Sequence, residues 1–266
     1  MMSTSVSPNK LTEKEESGAG IRVIARSAKI LRTLNDEPKG MSLGQIAVKV
    51  GLPRSTVQRI VGALKSEGFI IDGPSESKIR IGPAFFSIAA ASLSDFRDPI
   101  RPFLEELSED LGETVDLSIL SGDRVVFLDQ CSTREKRLLA VSEIGASFPA
   151  YSCAPGKSLL SELTDDQLTR LLPQTLPHLT EETIPDLAKF IKEMEIIRQT
   201  GVAYDREEHT DGICAVSTVI RSLPRGTAAL SIPMPAQRFY GEEKAYVAPL
   251  LRCRDKISHS LGFLYR

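Results

Sequence analysis

The chain has 266 residues, 41% hydrophobic and 26% charged, with a formal net charge of −2. That composition supplies a sizeable core and excludes an intrinsically disordered chain, and the length gives two domains as the prior. No apolar run reaches the ~18 residues that cross a bilayer, the first residues lack the apolar stretch of a secretory signal, and the four cysteines form no C-x-x-C pair. A cytoplasmic protein without a membrane partner, structural zinc or disulfides is therefore expected.

The near-neutral total hides an asymmetry. Residues 21–82 carry 11 Lys and Arg against 5 Asp and Glu, whereas residues 83–266 carry 20 against 27. A basic module precedes a larger acidic one, and a local positive field attracts a phosphate backbone. On charge alone, a solvated basic face without a partner competes with this reading.

Residues 1–20, rich in Ser, Thr, Glu and Lys and without periodicity, read as a disordered tail. From Ile21, apolar residues recur at helical spacing through Ile24, Ala28, Leu31 and Leu34, and Pro38 and Gly40 stop the run. Ser42, with Gln45 three residues on, forms a capping box that opens a short helix to Val50. Gly51-Leu52 turns the chain. Pro53 then begins a third helix whose buried stripe is Val57, Ile60, Val61 and Leu64. Residues 69–71 and 78–81, on either side of a turn at 72–75, read as a β-hairpin.

This order of elements is that of a winged helix-turn-helix over residues 21–82. Its third helix presents Arg54, Ser55, Thr56, Gln58 and Arg59, and its wing carries Lys78 and Arg80. These donors and acceptors suit the base edges and phosphates of double-stranded DNA, whose major groove admits one helix. A winged helix that binds protein instead is the alternative, and the basic charge favours DNA.

Residues 83–97 read as a linker helix. Its Phe85, Phe86, Ile88, Ala89 and Leu93 are too apolar for a free helix in water and are expected against another subunit or the adjoining domain. Two-fold pairing would then call for a nearly palindromic operator. Over residues 98–266, a helix at 100–111 precedes strands at 114–120, 124–130 and 138–141. Helices at 159–163, 165–172 and 184–200 follow, then strands at 201–204, 213–220 and 227–233 and a helix at 249–264. Such interleaving predicts an α+β domain on an antiparallel sheet.

Three segments carry a resemblance to a known family. They are Ile46-Ala47 with Val50-Gly51-Leu52-Pro53-Arg54-Ser55-Thr56-Val57-Gln58-Arg59-Ile60, residues 145–160 around Ala154-Pro155-Gly156-Lys157, and residues 201–216 around Asp205-Arg206-Glu207-Glu208-His209. Across residues 21–264 the chain resembles the IclR family of bacterial transcription regulators. The resemblance implies an N-terminal DNA-binding domain, a linker helix and a C-terminal effector domain with a GAF- or profilin-like sheet. It also implies a homodimer or dimer of dimers, and no catalysis or cofactor. It places effector-binding roles on Ser152, Cys153, Gly156, Asp205, Cys214, Ser217 and Ser231.

Hydroxyls, thiols and the free N–H groups of a helix start can hold a small carboxylate, and Asp205 can accept from a ligand hydroxyl. Pro233 stands where relatives often carry a serine and removes a donor, which favours a more apolar or bulkier body flanked by Phe148, Tyr151 and Pro233. A small organic acid, hydroxylated or aromatic, is therefore the expected effector.

Other readings of the same residues compete. Residues 154–158 look like the end of a phosphate-binding loop, but Tyr151 occupies the position that needs glycine, and Lys157 then reads as a solvated helix residue. Cys153, Asp205, His209 and Cys214 are of metal-ligating type, without the spacing of a zinc finger. The same four residues also outline a Cys/His-dependent hydrolase with an oligomerising winged helix, without a local nucleophile signature.

Overall fold

Ser42 caps its helix from both directions: its Oγ accepts from the Gln45 backbone N–H at 3.3 Å, and Gln45 Oε1 accepts from the Ser42 N–H at 2.9 Å. The helix so opened, Leu43–Val50 (α2), follows α1 (Thr12–Asn35) and precedes α3 (Arg54–Ser66). Gly51, at φ 68°, makes the tight turn between α2 and α3. Strands β1 (Ile70–Asp72) and β2 (Ile79–Ile81) pair antiparallel as the wing, and α4 (Ala84–Arg97) follows. Ile30, Leu34, Ile46, Val50, Val57, Ile60, Val61, Ile70 and Ile79 form one buried cluster.

The computed structural model describes residues 12–73, 78–133, 140, 142–223 and 226–264. The chain divides into two units, residues 1–92 and 93–266, and the division falls within α4. α1 starts at Thr12, inside the segment expected as a tail. Lys14, Glu15 and Glu16 are good helix formers, and a fully polar stretch gives no period from which to tell helix from coil. The rest of that expected tail, residues 1–11, lies outside the described residues, as does most of the wing turn.

In the second unit, α5 (Arg101–Leu111) leads into β3 (Val115–Ser121) and β4 (Arg124–Cys131), then β5 (Ser147–Pro149), α6 (Ala154–Leu160), α7 (Asp165–Leu171) and α8 (Leu187–Thr200). Strands β6 (Ala203–Arg206), β7 (Ile213–Leu223) and β8 (Gly226–Pro235) follow, and then α9 (Ala236–Phe239) and α10 (Glu243–Leu264). The six strands form one antiparallel sheet in the order β5-β4-β3-β8-β7-β6. Helices α5 and α10 cover one face, through Leu104, Val115, Leu117, Cys214, Val216, Leu250 and Ile257. Helix α6 lies on the other face, backed by α8. The fold class is the α+β arrangement expected.

Two elements differ from the sequence reading. The strand expected at 138–141 lies outside the described residues apart from Ala140, and β5 forms the sheet edge instead, with Phe148 opposite Val125. The helix expected at 159–163 is α6, which starts at Ala154 and whose seven residues are all buried. A helix covered on every side has no polar face, so it leaves no helical period in the sequence.

Candidate functional site

The first unit presents a polar face on α3. Val57, Ile60 and Val61 turn inward, which leaves Arg54, Ser55, Gln58 and Arg59 exposed and Thr56 half-buried. Neither Arg54 nor Arg59 is ion-paired among the described residues. Lys65, by contrast, is held by Asp72 at 2.6 Å, which ties α3 to the wing. Arg80 is exposed on β2 and Lys78 half-buried just before it. On the linker helix, Phe85 packs on Phe69 with ring centroids 5.0 Å apart, while Phe86 and Ile88 are 74% and 57% exposed. The Leu93 side chain lies outside the described residues.

The second unit holds a cavity of about 280 Å³ on the α6 face of the sheet. Asp116 on β3 and Ser231 on β8 are register partners in its wall, and Asp205 on β6 lies towards the opposite sheet edge. Phe127, Phe148, Ile213, Ala215, Pro155 and Pro233 supply its apolar surface. His209 stacks on Phe148 at 4.1 Å between centroids.

The polar groups of this wall include two buried carboxyls, Asp116 and Asp205. Asp116 Oδ1 accepts from Gln130 Nε2 at 2.8 Å and its Oδ2 from Ser142 Oγ at 2.9 Å. Burial pushes its carboxyl up to about 7, against the pull of those two hydrogen bonds. Asp205 Oδ1 accepts from the Glu208 N–H at 2.8 Å, and burial followed by the neighbouring Glu208 charge holds this carboxyl at about 7 as well. Burial and Arg124 lower the His209 imidazole, which favours its neutral form. Ser231 Oγ is buried without a hydrogen-bond partner among the described residues. An unpartnered hydroxyl facing a cavity is a point where a ligand atom gains a bond at little cost.

Of the effector residues expected, Cys153, Asp205 and Ser231 line the cavity, together with Phe148 and Pro233. Ser152, Gly156, Cys214 and Ser217 do not. Ser152 Oγ donates to Pro149 O at 3.0 Å, and Ser217 Oγ donates to Leu230 O at 3.0 Å. A side chain at Gly156 would collide with the Ala150 backbone, so that glycine serves close packing. Cys214 points through the sheet to the α10 side because strand side chains alternate, and its neighbour Ala215 takes the cavity position. Tyr151 is likewise outside, with its hydroxyl donating to Pro177 O at 2.8 Å.

Sequence reasoning missed Asp116, Ser142, Phe127 and Thr210 in the lining. Asp116 had a signal: a carboxylate between Val115 and Leu117, inside an apolar strand.

Lys157 corrects the reading of a solvated residue. It is fully buried, and its Nζ donates to Glu208 Oε1 at 2.5 Å and to Glu193 Oε1 at 3.4 Å. The start of α6 also offers an anion little. Pro155 has no N–H, the Gly156 N–H faces the Cys153 thiol, and the Lys157 N–H bonds Cys153 O at 2.9 Å. Among the described residues no three Cys, His or acidic side chains converge as metal ligands, and Cys214 lies across the sheet from Cys153 and His209.

A winged helix-turn-helix with an exposed basic face, on the same chain as an α+β unit enclosing a ligand-sized cavity, defines a DNA-binding regulator of transcription. The IclR helix-turn-helix domain matches residues 23–71, and the C-terminal domain of bacterial IclR transcriptional regulators matches residues 88–259. The chain belongs to the IclR family.

It is 45% identical over 245 residues to the HTH-type transcriptional regulator Rv1719 of Mycobacterium tuberculosis, covering 92% of this chain and 94% of that one. To the HTH-type transcriptional regulator TtgV of Pseudomonas putida it is 38% identical, covering 96% and 97%. An IclR regulator from Silicibacter superposes with a TM-score of 0.82 at 22% identity, over 90% of this chain and 96% of that one. An IclR homologue from Microbacterium hydrocarbonoxydans, solved with 4-hydroxybenzoate, superposes with a TM-score of 0.73 at 22% identity, over 90% and 98%. Among the described residues no helix is long and apolar enough to cross a membrane.

Proposed function

We propose that this regulator binds its operator through Arg54, Ser55, Thr56, Gln58 and Arg59 of α3, with Lys78 and Arg80 of the wing on the phosphate backbone. Its DNA binding is controlled by a small hydroxylated aromatic molecule in the second unit. The observation that carries the effector reading is the pairing of an unpartnered buried Ser231 hydroxyl with two acceptor carboxylates around an apolar cavity. A ring fits between Phe127, Phe148 and Pro233, and a ligand hydroxyl donates to Asp116 or Asp205. The structural neighbour that holds 4-hydroxybenzoate supports the ring and the hydroxyl.

Organic acids stay within this class, but here the hydroxyl is the recognised group. Two carboxyl groups in the wall, each charged about half the time at neutral pH, do not favour an anion, and the start of α6 does little to attract one. The protein acts in the cytoplasm as a homodimer or dimer of dimers, in which a second copy covers the exposed Phe86 and Ile88.

A thermal-shift screen tests the effector reading with phenol, benzoate and 4-hydroxybenzoate as probes. A ligand at 100 times its dissociation constant adds about 2.7 kcal/mol of stability. The hydroxylated rings are expected to raise the melting temperature more than benzoate does. Stabilisation by benzoate equal to that by 4-hydroxybenzoate, with phenol inert, would sink the hydroxyl argument.

A further inference from the structure

Asp116 does not stop at the cavity wall. Gln130, which donates to its Oδ1, follows Asp129 on β4, and the Gln130 backbone N–H donates to Asp129 Oδ1 at 2.9 Å. Asp129 is fully buried. Its Oδ1 also accepts from Arg101 Nη1, at the start of α5, at 2.6 Å. Its Oδ2 has no hydrogen bond among the described residues and lies 3.9 Å from Nε of Arg97, the last residue of the linker helix α4. The same Arg97 Nε donates to the exposed Asp98 Oδ1 at 3.3 Å.

We propose that Asp116 is the positioning residue through which the cavity acts on the linker helix, by way of Gln130, Asp129 and the Arg97–Arg101 pair. Each oxygen of Asp116 already accepts one hydrogen bond, from Gln130 or from Ser142, so a ligand donor reaching this carboxylate shares an oxygen with one of them and draws on that bond. Gln130 is fixed at both ends, by its side chain on Asp116 and by its N–H on Asp129. A shift at one end is therefore transmitted to the other.

Asp129 is poised to respond, because a buried carboxylate oxygen without a partner is costly and Arg97 stands just beyond hydrogen-bond reach. Arg97 bonds the exposed Asp98 here, and a small movement would place it on the buried Asp129 and fasten the end of α4 to β4. Coupling between two sites requires an element with two such arrangements, both biased by the cavity. Asp205, on the far side of the cavity, bonds its own turn through Glu208 and is the control.

The biological meaning of this coupling rests on the effector reading above, but the coupling itself is measurable without any effector. Amide hydrogen exchange of the full chain reads it directly. Asp116→Asn is expected to change exchange over residues 84–101 by roughly threefold or more. In a Gln130→Leu background that change is expected to vanish. Asp205→Asn should alter exchange near residues 205–212 and leave residues 84–101 unchanged.

The proposal is overturned if a folded Asp116→Asn variant leaves residues 84–101 unchanged, if its effect survives in the Gln130→Leu background, or if Asp205→Asn has the same effect. Should Asp116→Asn not fold, Gln130→Leu alone must change exchange over 84–101, and the absence of a change would overturn the proposal as well. An effector screen without a hit would bear on the ligand reading and leave this result standing.

Discussion

Lys157 and Glu208 form a buried ion pair, Nζ to Oε1 at 2.5 Å, with Lys157 wholly removed from solvent. Glu208 also donates its backbone N–H to Asp205, and its carbonyl accepts from Thr183 Oγ1 at 2.7 Å. The pair therefore pins the turn from which Asp205, His209 and Thr210 reach the cavity. Lys157→Met would leave a buried Glu208 without its main cation. Breaking one side of such a pair costs roughly 3–5 kcal/mol, so urea unfolding should show a loss of that order. A loss under about 1 kcal/mol would mean that the turn is held by the threonine bonds instead.

Stability should depend on pH through the two cavity carboxylates. Asp116 and Asp205 titrate near 7 in the folded chain, against about 3.9 in an unfolded one. Between about pH 4 and 7 the folded state therefore binds more protons, and this contribution to stability falls as pH rises through that window. His209, lowered by burial, slopes the opposite way below its ordinary range. The clean readout is thus the difference between the parent and Asp116→Asn, in which the amide can donate to Ser142 Oγ. Urea midpoints at pH 5 and pH 8 should differ less in the variant, and an identical pH dependence would show that Asp116 ionises normally.

Operator contacts separate by their response to salt. If Arg59 reaches a base edge, Arg59→Ala should weaken a specific duplex by roughly 1–3 kcal/mol and relax sequence preference. Arg80→Ala, on the wing, should weaken all duplexes alike and reduce the salt slope by about 1. Fluorescence anisotropy over a salt series distinguishes the two. Equal effects on specific and random duplexes from Arg59→Ala would remove it from base recognition.

Ser231 gives a test in which stability and binding move in opposite directions. Its buried hydroxyl is unsatisfied, a state that costs about 1–3 kcal/mol, so Ser231→Ala should leave the ligand-free protein as stable or more stable. Affinity for a hydroxylated ring should fall about tenfold, the equivalent of one ordinary hydrogen bond. Calorimetric titration alongside thermal melting would show it, and unchanged affinity would place the ligand away from β8.

All four cysteines are free and buried, and burial pushes Cys131 and Cys214 up to about 11 and Cys253 up to about 12. Cys153 is raised as well, by burial and then by Asp205. Because the thiolate is the nucleophile, native protein at pH 8 should react slowly with a thiol reagent and should not hydrolyse activated esters. Unfolded protein should react at four thiols. A single fast-reacting cysteine in the native protein would revive the hydrolase reading.

The winged helix was legible from residues 21–82 because its signals are local. A capping box at Ser42, a left-handed turn at Gly51 and a one-sided stripe on α3 each act within a turn or two of chain, and helical period then assigns Arg54, Gln58 and Arg59 to the open face. Charge asymmetry and the family motifs extended that reading to the second unit. The cavity was legible only in part because its wall is assembled by strand pairing between residues far apart in the chain. Asp116 meets Ser231 through the β3–β8 register, and alternation along β7 decides that Ala215 lines the cavity while Cys214 faces away. Burial hid the rest: α6 has no exposed face to give it a period, and Lys157 reads as a surface residue until Glu208, fifty-one positions along the chain, is folded against it. Pairing partners, the direction of each strand side chain and the cost of removing a charge from water are set by tertiary contacts, and no local spacing of residues encodes them.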